Sequence, residues 1–206
     1  MQRVGAANAA AGVSIRATGI SGLPGPLTIV VPRRADSPVA ELACAGLATI
    51  ALRSPSHPLA RELLAAFGGP VVAPSANRSG HVSATTAAHA AADLEGAVDL
   101  ILDGGPSAVG LESTIVAIDA DGRATLLRPG AIERDAIEAI TGPVATPAAN
   151  TIAAPGMMES HYAPRARIVL DVSTPPADGA YLAFGAPEAA HTCAGASCGH
   201  CATGSI

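Results

Sequence analysis

Residues 24–32 read PGPLTIVVP, a run rich in β-branched aliphatic side chains with proline at both ends. Such side chains are stiff at χ1 and suit a pleated surface, while proline interrupts a ladder, so a short strand is predicted over 27–31. Outward from it the chain alternates between strand-like and helix-like segments. Ser37 and Pro38 read as an N-cap and first-turn pair of a helix running through Ala45, with Glu41 in its early turns and Gly46 closing it. ATIALR, 48–53, predicts a second strand. Ser56 and Pro58 open an amphipathic helix carrying Arg61, Leu63, Leu64 and Phe67, which Gly68 and Gly69 stop.

Beyond that helix, VVA at 71–73 predicts a third strand, and Ser83 reads as the cap of a helix reaching Leu94. VDLILD, 98–103, predicts a buried strand. STIVAID, 113–119, and RATLLRPG, 123–130, predict two more, joined by a hairpin at Asp121 and Gly122, with a last helix over Glu133 to Ile140. Strands separated by helices imply an α/β sheet with helices packed on it, and the hairpin adds antiparallel pairing. The predicted fold is a mixed, twisted α/β sheet.

A chain of 206 residues accommodates one domain with a substantial core, or one domain plus a small second piece. With 49% apolar residues and only 2% aromatics, that core must be built from Ala, Val, Leu and Ile. Apolar runs fall far short of the roughly 20 residues that cross a bilayer. Arg16 interrupts the weakly apolar start, unlike a secretory signal, so a cytoplasmic protein is expected.

A formal charge of −5 gives no global positive field for a polyanion. Direct RNA binding is further disfavoured by four aromatic residues in all. All 12 basic residues are arginine, so any phosphate held by a side-chain cation is held by guanidinium. Cys44 lies in an apolar segment and Cys193, Cys198 and Cys201 crowd the end, which is not a disulfide framework for a whole domain. His191 and His200 add to that last cluster, but its glycine- and alanine-rich setting lacks the structured knuckle of a zinc site, and no bound metal is expected there.

Three stretches concentrate polar chemistry. PSANRSGHVSATT, 74–86, follows a predicted strand and ends on a predicted helix, with Ser75, Asn77, Ser79 and Ser83 supplying hydroxyl and amide groups. It reads either as an anion cradle or as an Asx- and Ser-rich turn that caps the helix, and local chemistry leaves both open. DGGPSAVGLEST, 103–114, is a glycine-rich loop before a strand that starts with Glu112, Ser113 and Thr114, and reads as a ligand crevice or as a wide surface loop. LLRPG, 126–130, ends a strand on Arg128, whose fork suits phosphate or carboxylate but equally a surface ion pair.

The order of PGPLT, LATIALR, APSANRSG, DGG with ESTIV, LLRPG, PGM and HYAP resembles the YrdC-type threonylcarbamoyl-AMP synthases, in their longer two-domain form, over residues 23–186. The resemblance implies a YrdC-like twisted mixed sheet with packed helices in a partial catalytic domain over 23–142, preceded by an atypical segment over 1–22. Composition marks a linker over 143–165 and a disordered tail over 187–206, and the resemblance implies the start of a truncated C-terminal α/β domain over 166–186.

For function, the resemblance implies that L-threonine, bicarbonate and ATP, with Mg2+, give threonylcarbamoyl-adenylate and pyrophosphate, which a transfer complex uses to modify tRNA. Carried over by motif, Thr49, Ser75, Asn77, Ser83, Arg128 and Tyr162 resemble the family's ATP contacts, with Thr28 as a neighbour. Arg53, Ala73 and Ser113 resemble its threonine contacts, and His161 and Tyr162 lie in a lid-like linker. The family's threonine-rich strand of the TDTVYGLG kind and its Lys-x-Arg motif are not found here, so an inactive fragment of lowered stability is also an expectation. Alternatives are a non-catalytic ATP- or threonine-binding remnant, or the carbamoyl-adenylating domain of a hydrogenase-maturation enzyme.

Overall fold

The structure, a computed structural model, describes residues 23–147. Two units divide the chain, Met1–Pro164 and Arg165–Ile206, and every described residue belongs to the first. The expected linker motif around His161 and Tyr162, the second domain and the cysteine-bearing tail lie outside the described residues.

Four strands form one sheet in the order β2-β1-β3-β4: β1 Leu27–Pro32, β2 Thr49–Arg53, β3 Thr114–Ile118 and β4 Ala124–Arg128. β1 runs parallel to β3 and antiparallel to β2, and the β3–β4 hairpin is antiparallel, so the sheet is mixed as expected. Gly122 turns that hairpin at φ +81°, a conformation that glycine adopts without a Cβ clash.

Alternation along β1 divides the core. Leu27, Ile29 and Val31 face Cys44, Ile50, Val116, Ala124, Ile137 and Val144, whereas Val30 faces Ile115 and Leu127 on the other side. A register shift at Ile115/Val116 leaves Leu127 without a pairing partner in β3, because Ile115 pairs Arg128 and Val116 pairs Leu126.

Helix α1, Pro58–Phe67, begins with proline at its first position and ends on Gly68 in the left-handed region, as the sequence predicts, although its N-cap is His57 rather than Ser56. Helix α2 spans Ala87–Asp93 and α3 spans Arg134–Thr141. α3 places Ile137 in the main core, and Glu138 accepts from the Val144 backbone N–H at 3.1 Å. That bond helps seat Ala145 beside Thr125 of β4 in a parallel bridge. No helix of the described residues is long and apolar enough to cross a membrane.

Four local expectations are corrected. The helix predicted through Ala45 is a single 3-10 turn, Glu41–Cys44, capped by Ala40; Ser37 Oγ instead accepts from the Val39 N–H at 3.3 Å. Thr86, not Ser83, caps α2, because its extended backbone aims Oγ1 at the His89 N–H, 3.2 Å away. Neither VVA, 71–73, nor VDLILD, 98–103, is a strand. An apolar β-branched run becomes a strand only where a neighbouring edge offers its N–H and C=O groups, and within residues 23–147 neither run has one. Val72 and Leu100 are accordingly 68% and 75% exposed, which also overturns the buried placement predicted for 98–103.

Candidate active site

One end of the sheet gathers the polar side chains. β2 ends there on Arg53, β1 begins there with Leu27 and Thr28, Ser113 leads into β3 at Thr114, and β4 ends there on Arg128. Pairing places Thr28 opposite Arg53 and Ile115 opposite Arg128, so the four strand ends stand side by side.

Hydrogen bonds join most of this row. The buried hydroxyls of Thr28 and Ser113 lie 2.8 Å apart. Arg128 donates to the Ser113 carbonyl from Nε at 3.1 Å and Nη2 at 2.9 Å, and from Nη2 to Ser113 Oγ at 3.0 Å. Arg53 Nε donates to the Gly25 carbonyl at 3.3 Å, which holds its exposed guanidinium beside the turn that leads into β1. Thr114 is fully buried; its Oγ1 accepts from the Ile132 N–H and donates to the Ile132 carbonyl, both at 2.9 Å, locking the turn after Arg128 onto β3.

The loop 74–86 reaches the same place. Ser83 Oγ donates to Glu112 Oε1 at 2.6 Å and lies 3.4 Å from Asn77 Oδ1, while Glu112 Oε2 stands 3.5 Å from Arg128 Nη2. Asn77 spends its amide on the carbonyls of Arg78 and His81, and Asp93 of α2 accepts from the Arg78 N–H at 2.6 Å and from His81 Nδ1 at 2.5 Å. Those two donors hold the Asp93 carboxyl below the usual carboxylate range, His81 contributing most.

Of the residues singled out from sequence, Asn77, Ser83, Ser113, Thr28 and Arg128 therefore converge in one network, with Arg53 beside it. Ser75 and Ala73 are exposed on the loop that leads into it. Thr49 is set apart: it pairs with Pro32 at the opposite end of β2 from Arg53, roughly 13 Å along the strand. Tyr162 lies outside the described residues. Glu112 was not among the sequence-derived contacts, though it touches both Ser83 and Arg128. An acidic residue one step before a strand mouth, in a chain whose strand-end cation is an arginine, is the signal that could have found it.

A strand-end row of hydroxyls and two guanidiniums, fed by a serine-rich loop, defines an α/β domain with a polar site suited to a small anionic ligand. Comparison with known proteins narrows the class. Residues 12–130 match the Sua5/YciO/YrdC family, described as telomere recombination, and residues 132–199 match a threonylcarbamoyl-AMP synthase C-terminal domain. The chain belongs to the Sua5/YciO/YrdC family. It is 42% identical to the threonylcarbamoyl-AMP synthase of Bacillus subtilis over 74% of its own length and 45% of that protein's. The corresponding figures for the synthase of Pyrococcus abyssi are 39%, 71% and 44%. The crystal structure of P. abyssi Sua5 complexed with L-threonine superposes with a TM-score of 0.63 at 38% identity, over 69% of this chain and 43% of that one. The chain thus spans under half the length of these curated relatives.

Proposed function

We propose that this chain carries the ATP- and threonine-handling part of a threonylcarbamoyl-AMP synthase acting in the cytoplasm. The relatives' names and the family membership support the reaction class, and the network joining Ser83, Glu112, Arg128, Ser113 and Thr28 is the observation that carries it to these residues. The amine of L-threonine bonds to the bicarbonate carbon with loss of water, giving an N-carboxylated amino acid. Its carbamate oxygen attacks the α-phosphorus of ATP, the bond to pyrophosphate breaks, and threonylcarbamoyl-adenylate leaves for a complex that modifies tRNA adenosine.

Such a displacement asks for in-line placement and for donors that offset crowded negative charge, rather than for covalent work by the protein. Arg128 suits the nucleotide: its Nε and Nη2 are fixed by Ser113, while Nη1 has no hydrogen-bond partner among the described residues. Ser83, Asn77 and Ser75 offer hydroxyl and amide groups from the adjoining loop; the nucleotide set carried over from the family also names Tyr162 and Thr49, the latter at the far end of β2 from this network. Arg53 is the carboxylate partner for threonine, with Ser113 Oγ and the Ala73 backbone as its neutral contacts. Among the described residues no three His, Cys, Asp or Glu side chains group to hold a metal ion. Magnesium is assigned to the triphosphate with which it arrives.

Calorimetric titration with ATP and magnesium, with and without L-threonine and bicarbonate, tests the reading while pyrophosphate is followed. Threonine-dependent pyrophosphate release is expected. Binding without release reduces the chain to a ligand-binding module, and no binding of either ligand overturns the proposal.

A further inference from the structure

The geometry points to Glu112 as a positioning residue that sets the distance and orientation between Ser83 and Arg128, an inference that rests on the ATP-binding reading above. Ser83 belongs to the loop before α2, and Arg128 to the end of β4, 45 positions further along the chain. The two oxygens of the Glu112 carboxylate divide between them: Oε1 accepts from Ser83 Oγ at 2.6 Å, and Oε2 faces Arg128 Nη2 at 3.5 Å.

A carboxylate beside a triphosphate is repelled by it, so Glu112 makes a poor ligand. It makes a good holder, because its charge is set against the guanidinium and its side chain is only 32% exposed. Glu112 is also held by its own backbone. The Arg128 guanidinium grips the Ser113 carbonyl, and Ser113 directly follows Glu112 at the start of β3, so strand, carboxylate and guanidinium form a closed loop of contacts. Without the carboxylate, Arg128 keeps its bonds to Ser113 but Ser83 loses its short acceptor, and the loop is released from the strand ends. Threonine-side groups are less affected, because Ser113 Oγ is held independently by Thr28 and Arg53 by the Gly25 carbonyl.

The test is calorimetric titration of the full 206-residue chain and its variants with ATP plus magnesium, and separately with L-threonine. Glu112→Gln keeps the length but removes the anion, and because an amide carries a single oxygen beside its NH2 group, it cannot offer an acceptor to Ser83 and to Arg128 at once. It is expected to raise the Kd for ATP about five- to tenfold and to leave the Kd for L-threonine within about twofold. In a Ser83→Ala background the effect of Glu112→Gln on ATP should shrink, since one partner of the clamp is already gone. Should Glu112→Gln fail to fold, Glu112→Asp carries the same prediction, because its carboxylate stops one methylene short of reaching both partners. Unchanged ATP affinity in the variant, equal losses for the two ligands, or strictly additive effects with Ser83→Ala each overturn the assignment. If the unaltered chain binds neither ligand, the functional reading itself falls and takes this inference with it.

Discussion

Arg128 grips the backbone of Ser113, donating from Nε and Nη2 to one carbonyl oxygen at 3.1 and 2.9 Å. The end of β4 is thereby tied to the start of β3 by a planar fork, and the same fork reaches the Ser113 hydroxyl at 3.0 Å. A lysine ammonium can reach one of these acceptors but cannot present parallel N–H bonds to the carbonyl while also serving the hydroxyl.

Arg128→Lys is accordingly expected to keep the charge and lose the geometry. ATP affinity should fall about tenfold, equivalent to ~1.4 kcal/mol, and calorimetric titration reads the change. Retention of the original affinity would show that charge alone, without orientation, is what the site requires.

Ser113 and Thr28 should not be equivalent under substitution. Ser113→Ala strands the buried Thr28 hydroxyl and removes an acceptor from Arg128, whereas Thr28→Val leaves Ser113 Oγ still bonded to the guanidinium. Urea unfolding should therefore show a loss of about 2 kcal/mol for Ser113→Ala and about 1 kcal/mol for Thr28→Val.

Gly130 passes so close over the start of β3 that a Cβ there would stand 2.5 Å from the Thr114 nitrogen and closer still to the Glu112 carbonyl oxygen. These are backbone atoms within a strand start and cannot swing aside. Gly130→Ala is expected to cost about 3 kcal/mol and to lower the thermal midpoint measurably by circular dichroism.

The Asp93 carboxyl, depressed chiefly by His81 and then by the Arg78 N–H, makes the loop 78–81 sensitive to acid. Its folded-state pKa lies below the unfolded value of about 3.9, so its stabilisation is present above that value and is lost as pH falls through the folded one. Asp93→Asn should be the less stable protein near neutral pH, with the gap closing below about pH 4. Denaturant melts of both proteins across that range check the sign, and a gap that widens in acid refutes it.

Much of the sheet was legible because its strands carry their own signals: proline-bounded LTIVV, the alternation of ATIALR, and the Asp121–Gly122 hairpin all fold where they were read. The failures share one physical cause. VVA and VDLILD have the composition of strands, but pairing depends on an edge supplied by other parts of the chain, which no local pattern encodes. Ser83 looked like a helix cap for the same reason: its true partner, Glu112, lies 29 residues away, and Thr86 takes the cap instead. At the site, residue types pointed to Arg128, Ser113 and Ser83, while the three-dimensional arrangement sets the Glu112 carboxylate between Ser83 and Arg128 and separates Thr49 from the rest.

The strand ends that line up as Arg53, Thr28, Ser113 and Arg128 are drawn from all four strands, and the outermost two are 75 positions apart in sequence. No sub-structure smaller than the complete sheet contains them together. Ligand occupancy is therefore a gauge of global assembly: a molecule bound across the row is released by the detachment of any one strand, and at saturating concentration it protects the sheet as a single cooperative unit against heat, denaturant and proteases.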